Sequence, residues 1–169
     1  MLSFDIRSLQ SRAAIVDSAL PADDAIWEEG DPTPDGSVDV GGRLSAAGPS
    51  RFYWHGRIAG DIVLPCRRCL IDVRVHVDDE AHLIFAETGD EDTDDPDVYQ
   101  FDPSASELDL RPAIRELWLV AAPSFAVCRE DCKGLCPRCG TDLNAGPCDC
   151  PTASDSPWDA LRKLDRTSK

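Results

Sequence analysis

Leu64-Pro65-Cys66-Arg67-Arg68-Cys69-Leu70-Ile71-Asp72-Val73-Arg74-Val75-His76-Val77 decides the fold. Ile71, Val73, Val75 and Val77 recur at every second position, interleaved with Asp72, Arg74 and His76. That is the pattern of a strand with one buried and one wet face. The preceding Asp61-Ile62-Val63-Leu64 is rich in β-branched residues and reads as a second strand running up to the cysteines. Cys66 and Cys69 then sit at a hairpin tip. A redox Cys-x-x-Cys pair instead opens a helix after a strand, so metal binding is the preferred reading, with redox or inert thiols as the alternative.

Working outward, Arg51-Phe52-Tyr53-Trp54-His55-Gly56-Arg57-Ile58 is aromatic and β-branched enough for another strand, and Val38 and Val40 mark one between the turns of the Gly-, Pro- and Asp-rich stretch from Gly30 to Gly48. Leu2, Phe4 and Ile6 alternate as a short strand, and a polar-to-mixed stretch follows up to Leu20-Pro21. Downstream, seven of the eleven residues from Glu87 to Asp97 are acidic and none is basic, which reads as a solvated loop. Asp109 is placed to cap a helix whose first turn accepts Pro112, with Leu110, Ile114, Leu117, Trp118 and Ala121 at helical spacing and Pro123 ending it. After a Pro/Ser-rich spacer, Ser156-Pro157 starts a short helix with Trp158, Leu161 and Leu164 on one stripe.

These segments predict an α+β fold: an antiparallel β-sheet or open barrel covered by one central helix, with a Cys-rich tail and a short C-terminal helix. The expected organisation is a β-rich domain over residues 1–123 with an acidic loop at 87–97, a zinc-binding tail over 124–150 packed on it, and a linker with the closing helix over 151–169.

The eight cysteines form four close pairs: Cys66 with Cys69, Cys128 with Cys132, Cys136 with Cys139, and Cys148 with Cys150. Two thiolates from one tight turn and two from another surround a zinc ion tetrahedrally, and eight divide into two such sets. Cys136-Pro137-Arg138-Cys139-Gly140 reads as a zinc knuckle, and with Cys148 and Cys150 makes the stronger set. Cys66 and Cys69 lie far along the chain from any other thiol, so a second site must be closed by the fold, with Cys128 and Cys132 left to complete it. The expectation is one or two structural Zn2+ ions.

The chain has 169 residues, 17 Lys plus Arg and 32 Asp plus Glu, for a net charge of −15. That balance opposes nucleic-acid binding by bulk charge. No apolar run approaches the ~20 residues of a membrane span, and the opening Met1-Leu2-Ser3-Phe4-Asp5-Ile6-Arg7 lacks the apolar core of a secretory segment. A cytoplasmic location is expected, with no membrane partner and no small-molecule substrate. Local charge differs: from Arg51 to His76, five arginines face two aspartates, a balance of +3 against −18 elsewhere. Arg57, Arg67, Arg68, Arg74, Lys133 and Trp158 are therefore candidates for partner or RNA contact. The basic residues near the cysteines have an equal claim to a different role, neutralising a doubly negative four-thiolate zinc centre. The histidines, His55, His76 and His82, carry no catalytic pattern, and no phosphate loop or nucleophile elbow is present. No catalytic residue is assigned.

The tail from Cys128 to Asn144, with its Cys132-Lys133-Gly134-Leu135-Cys136-Pro137-Arg138-Cys139-Gly140 core and closing Cys148-Asp149-Cys150, resembles the YceD-like family of bacteria and plastids. The Cys66–Cys69 hairpin, the helix opened by Leu108-Asp109-Leu110 and the segment Ser156-Pro157-Trp158-Asp159-Ala160-Leu161-Arg162-Lys163-Leu164 resemble the same family in the same order. The departures are the acidic insert before Val98 and the Ser-Pro-Trp of the closing helix. The resemblance implies a non-enzymatic accessory role in large ribosomal subunit biogenesis, supporting synthesis or accumulation of 23S rRNA. Large-subunit rRNA or ribosomal proteins are the implied partners. Two alternatives are a zinc-stabilised adaptor or chaperone for basic ribosomal proteins, attracted by complementary charge, and a thiol redox device at Cys66 and Cys69.

Overall fold

The computed structural model describes residues 1–89 and 98–151. Nine elements follow in chain order: β1 (Ser3–Asp5), α1 (Ile6–Ser11), β2 (Ala14–Pro21), β3 (Ser37–Gly48), β4 (Arg51–Pro65), β5 (Asp72–Glu87), β6 (Val98–Phe101), β7 (Glu107–Asp109) and α2 (Arg111–Ala121). The main sheet has five strands in the order β2-β3-β4-β5-β6, and β1 with β7 forms a separate two-stranded ribbon. The architecture is α+β.

The hairpin reads out as the sequence pattern requires. β4 and β5 pair antiparallel from Arg51↔Ala86 to Pro65↔Asp72, and the cysteine pair occupies the turn between them. Even-numbered β4 residues face the core: Phe52, Trp54, Ile58 and Ile62 are buried, opposite Phe85, Leu83 and Val75 among others. Trp54 fits because its neighbour lacks a side chain. A Cβ on Gly56 would stand 2.3 Å from the Trp54 ring and 2.1 Å from the Gly41 carbonyl. At the hairpin end the inward row opens to solvent, so Ile71 is 53% exposed instead of buried.

Four parts of the sequence reading are corrected. The sheet is mixed: β6 pairs parallel to β5, Ile84↔Val98 to Glu87↔Phe101. Most of the acidic block, at residues 90–97, lies outside the described residues, as does the expected closing helix with Trp158. Ile6 does not extend the first strand. It begins α1, whose N-cap Asp5 accepts the Ser8 N–H at 2.7 Å. The polar-to-mixed stretch contains a full strand, β2, which buries Val16 and Leu20. Finally, Leu110 and not Asp109 occupies the N-cap of α2, and the Asp109 carboxylate instead accepts the Arg111 N–H at 2.9 Å.

α2 carries Pro112 in its first turn and sends Ala113, Ile114 and Trp118 into the same core as the sheet residues. Trp118 is fully buried, and its indole N–H donates to the Pro32 carbonyl at 2.6 Å. Arg115 donates to both Asp31 carboxylate oxygens, at 2.7 and 3.0 Å. The irregular segment after β2 is thus pinned to the helix by this hydrogen bond and forked ion pair, together with Arg115–Glu28 at 3.2 Å and Arg111–Asp24 at 3.6 Å. No helix among the described residues is long and apolar enough to cross a membrane.

Candidate metal centres

The β4–β5 turn is built to aim sulfur. Cys66 N–H donates to the Ile71 carbonyl at 2.7 Å, and Leu70 N–H donates back to the Cys66 carbonyl at 2.9 Å, with Leu70 at φ 63°. The turn at Cys136 repeats this scheme. Cys136 N–H donates to the Thr141 carbonyl at 2.8 Å and Gly140 N–H to the Cys136 carbonyl at 2.9 Å, with Gly140 at φ 73°. Both turns leave two thiols on one side of a tight loop, the knuckle geometry of cysteine-bound metal sites.

The following tail returns to the hairpin. Arg67 N–H donates to the Ala126 carbonyl at 2.9 Å, and Leu135 N–H donates to the Arg68 carbonyl at 3.0 Å. Gly134, at φ 73°, lets that approach happen, since a Cβ there would stand 2.7 Å from the Arg68 carbonyl oxygen. The result brings Cys66, Cys69, Cys128 and Cys132 together, and separately Cys136, Cys139, Cys148 and Cys150; within each group the sulfurs lie within 4.8 Å of one another.

The distances fit a shared ion better than a covalent bridge. All eight cysteines are free. Cys69 and Cys128 sulfurs are 3.6 Å apart, and Cys66 and Cys132 sulfurs 4.0 Å. A disulfide needs about 2.05 Å, whereas a tetrahedron with Zn–S of about 2.3 Å places sulfurs about 3.8 Å apart. Either group could hold a metal ion.

The two groups differ in setting. Cys66, Cys69 and Cys132 are buried in a small apolar cluster of their own, with Val73, Val127 and Leu135 packed against it. In the second group Cys136 is buried, Cys148 and Cys150 are half-buried and Cys139 is exposed.

Proton affinities split in the same way in both. The Cys66 thiol is lowered to about 6, chiefly by the Cys128 N–H, which reaches its sulfur at 3.4 Å. Cys132 is also lowered: burial opposes this, but the Gly134 N–H and the Asn144 amide, 3.5 Å from its sulfur, prevail. Burial, with the neighbouring thiols, pushes Cys128 up to about 12. The Ile71 N–H favours the Cys69 thiolate, yet burial and Cys66 raise it. In the second group the Thr141 hydroxyl and N–H lower Cys139 to about 6, and the Cys139 N–H lowers Cys136. Cys150 is pushed to about 12 by Cys139, and Cys148 rises against the favourable Cys150 N–H because of Cys136. Four sulfurs this close cannot all carry charge without a cation among them.

Asn144 is a site residue that the spacing of cysteines did not reveal. Its side-chain oxygen accepts the Lys133 N–H and an Arg129 guanidinium N–H, both at 2.8 Å, while its amide donates to Asp142 and to the Cys132 sulfur. It ties Arg129, the Cys132 sulfur, Lys133 and Asp142 together through one side chain.

The candidate contact residues divide by use. Arg68 donates to the Glu130 and Cys132 carbonyls, both at 2.9 Å, and so fastens the tail. The Arg67 guanidinium lies 4.5 Å from the centre of the exposed Phe125 ring. Arg57 pairs with Asp78, and Arg74 with Asp35 and Asp61. Lys133 is exposed.

Residues 54–165, from inner strand through both cysteine groups, match the family described as large ribosomal RNA subunit accumulation protein YceD. The chain belongs to the YceD family. Among its curated relatives, a chloroplastic large ribosomal RNA subunit accumulation protein YCED homolog 1 of Arabidopsis thaliana is 39% identical over 54 residues, 32% of this chain and 17% of that protein. The corresponding Zea mays YceD homolog is 38% identical over 71 residues, 41% of this chain and 24% of its own length. An uncharacterized protein of Mycobacterium tuberculosis (strain H37Rv) is 35% identical over 95 residues, 54% of this chain and 45% of that protein. The chain thus spans less than half the length of each of these curated relatives. No solved structure matches it.

Proposed function

We propose that this chain is a non-enzymatic accessory factor in large ribosomal subunit biogenesis, acting in the cytoplasm to support synthesis or accumulation of 23S rRNA. Membership of the YceD family through residues 54–165 carries the reading. In it, the eight cysteines hold two structural Zn2+ ions, Cys66, Cys69, Cys128 and Cys132 one, Cys136, Cys139, Cys148 and Cys150 the other. Closed four-sulfur sites keep no position for activating water and instead fix the 124–150 tail on the β-rich body of residues 1–123, with α2 as its covering helix. Arg67 and Lys133 are proposed for contact with rRNA or ribosomal proteins, as is Trp158, which lies outside the described residues. Depletion should lower mature large-subunit RNA and leave small-subunit RNA unchanged; unaltered large-subunit RNA would overturn the reading.

One observation favours a protein partner over direct RNA contact. Arg57 and Arg74 spend their charge on Asp78, Asp35 and Asp61, in a chain of net charge −15. An adaptor for basic ribosomal proteins uses that acidity directly. Nuclease-resistant, salt-sensitive capture of a basic ribosomal protein supports the adaptor; nuclease-sensitive capture supports RNA contact. The redox reading fares worse, since a working thiolate must be reached, and Cys66 is fully buried.

A further inference from the structure

A third set of ligand-type side chains converges far from the cysteines in character: it is wet, imidazole-rich and built on strands. On the outward face of β4 and β5, His55 stands directly opposite His82, and Arg57 opposite Glu80. The two imidazole rings stack with centroids 4.4 Å apart and planes 4° from parallel. His55 Nε2 lies 2.6 Å from Glu80 Oε1, and the Tyr53 hydroxyl bonds His82 Nδ1. One nitrogen from each ring and one Glu80 oxygen lie within 4.8 Å of one another.

We propose that His55, Glu80 and His82 form a solvent-open binding site for a divalent late first-row metal ion such as Zn2+ or Ni2+. Imidazole selects these ions, and two histidines with a carboxylate leave the remaining coordination positions to water. Directly opposed strand residues have Cβ atoms about 4.5–5.5 Å apart, so both rings reach one ion by side-chain rotation alone. All three side chains are exposed, while the strands beneath them are held by the buried Trp54, Ala81 and Leu83. Tyr53 supplies the outer partner that a metal-bound histidine uses: with Nδ1–H donating to the phenol oxygen, His82 keeps its Nε2 lone pair for the ion. Charge permits it too. Arg57, opposite Glu80, is already engaged by Asp78, and Glu80 offsets Arg43, which faces His55 from β3. His76 gives an internal comparison. It lies on the same face and contacts the Asp61 carboxylate at 2.8 Å, but the pairing sets no second imidazole opposite it.

The test is titration of the purified metal-loaded full chain with Ni2+ alone, read by calorimetry and by paramagnetic broadening of amide signals. The number bound is taken as wild type minus His82→Ala, so it stands whether or not the cysteines hold zinc. One extra equivalent should bind, vanish in His55→Ala and His82→Ala, weaken in Glu80→Gln, fall roughly tenfold in Tyr53→Phe, and persist in His76→Ala. Broadening should centre on residues 53–57 and 80–84. Equal uptake by wild type and His82→Ala, or broadening centred on His76, would overturn the site. These positions are exposed, and unchanged far-ultraviolet circular dichroism establishes that each variant is folded.

Discussion

Leu70 adopts at φ 63° the left-handed conformation that Gly140 adopts at φ 73°, each one residue after the second cysteine of its knuckle and each closing the same pair of backbone hydrogen bonds. Glycine enters this region freely; leucine does so only against contact of its Cβ with the following carbonyl. The Leu70 side chain is 63% exposed, so packing returns little for that strain.

Leu70→Gly should therefore stabilise the metal-loaded protein by about 0.5–1 kcal/mol, the relieved strain being partly offset by a more flexible unfolded chain. Gly140→Leu should destabilise it by a similar amount, about 0.5–1 kcal/mol, although no atom beyond its chain neighbours lies within 4 Å of the new Cβ. Urea denaturation of both variants checks the pair. A loss of stability in Leu70→Gly would show that the side chain matters for packing after all.

How much of this was legible beforehand follows from where the signals reside. The β4–β5 hairpin was, because alternating valines and a cysteine pair are local patterns. The pairing of Cys66 and Cys69 with Cys128 and Cys132 followed from elimination among thiols. β2 was missed because Ala14, Ser18 and Ala19 dilute the alternation of Val16 and Leu20. The parallel pairing of β6 was not readable, since nothing local encodes the direction in which a four-residue strand returns. Leu70 gave no warning, because leucine has no preference for positive φ. Asn144 stood inside the quoted motif, but its four contacts, to Arg129, Cys132, Lys133 and Asp142, depend on how the tail folds back on itself, which the spacing of its residues does not state.

Asn144→Ala should weaken metal at the Cys66 group about 10–100-fold, the usual effect of removing an outer partner of a ligand. Asn144→Asp should weaken it further by placing a negative charge beside the Cys132 thiolate. Competition with a zinc indicator reads both. Equal weakening at the Cys136 group would mean that Asn144 holds the whole tail, not one sulfur.

Chelation should proceed in two phases. The exposed Cys139 and half-buried Cys148 and Cys150 give up their ion first, and the buried Cys66 group last. Cys148→Ser should delete the fast phase and Cys66→Ser the slow one. A single phase in wild type would contradict independent centres.

Acid should loosen the contact between α2 and the segment after β2. The Arg115 guanidinium, with the Glu28 N–H, holds the Asp31 carboxyl below its ordinary 3.8. The folded state therefore favours the carboxylate; this contribution is complete above 3.8 and lost as pH falls through the lower folded value. Asp31→Asn should be less stable than wild type at neutral pH, with the two melting curves converging in acid. A gap independent of pH would show that charge is not the cause.

Native mass spectrometry of the chain, isolated under reducing conditions and washed with a weak chelator to clear exposed sites, tests the central claim most directly. Two retained Zn2+ ions per chain, falling to one in either Cys66→Ser or Cys136→Ser, is the predicted result. A metal-free mass lighter by the hydrogens lost to disulfides, or both ions lost together in either single variant, would contradict it.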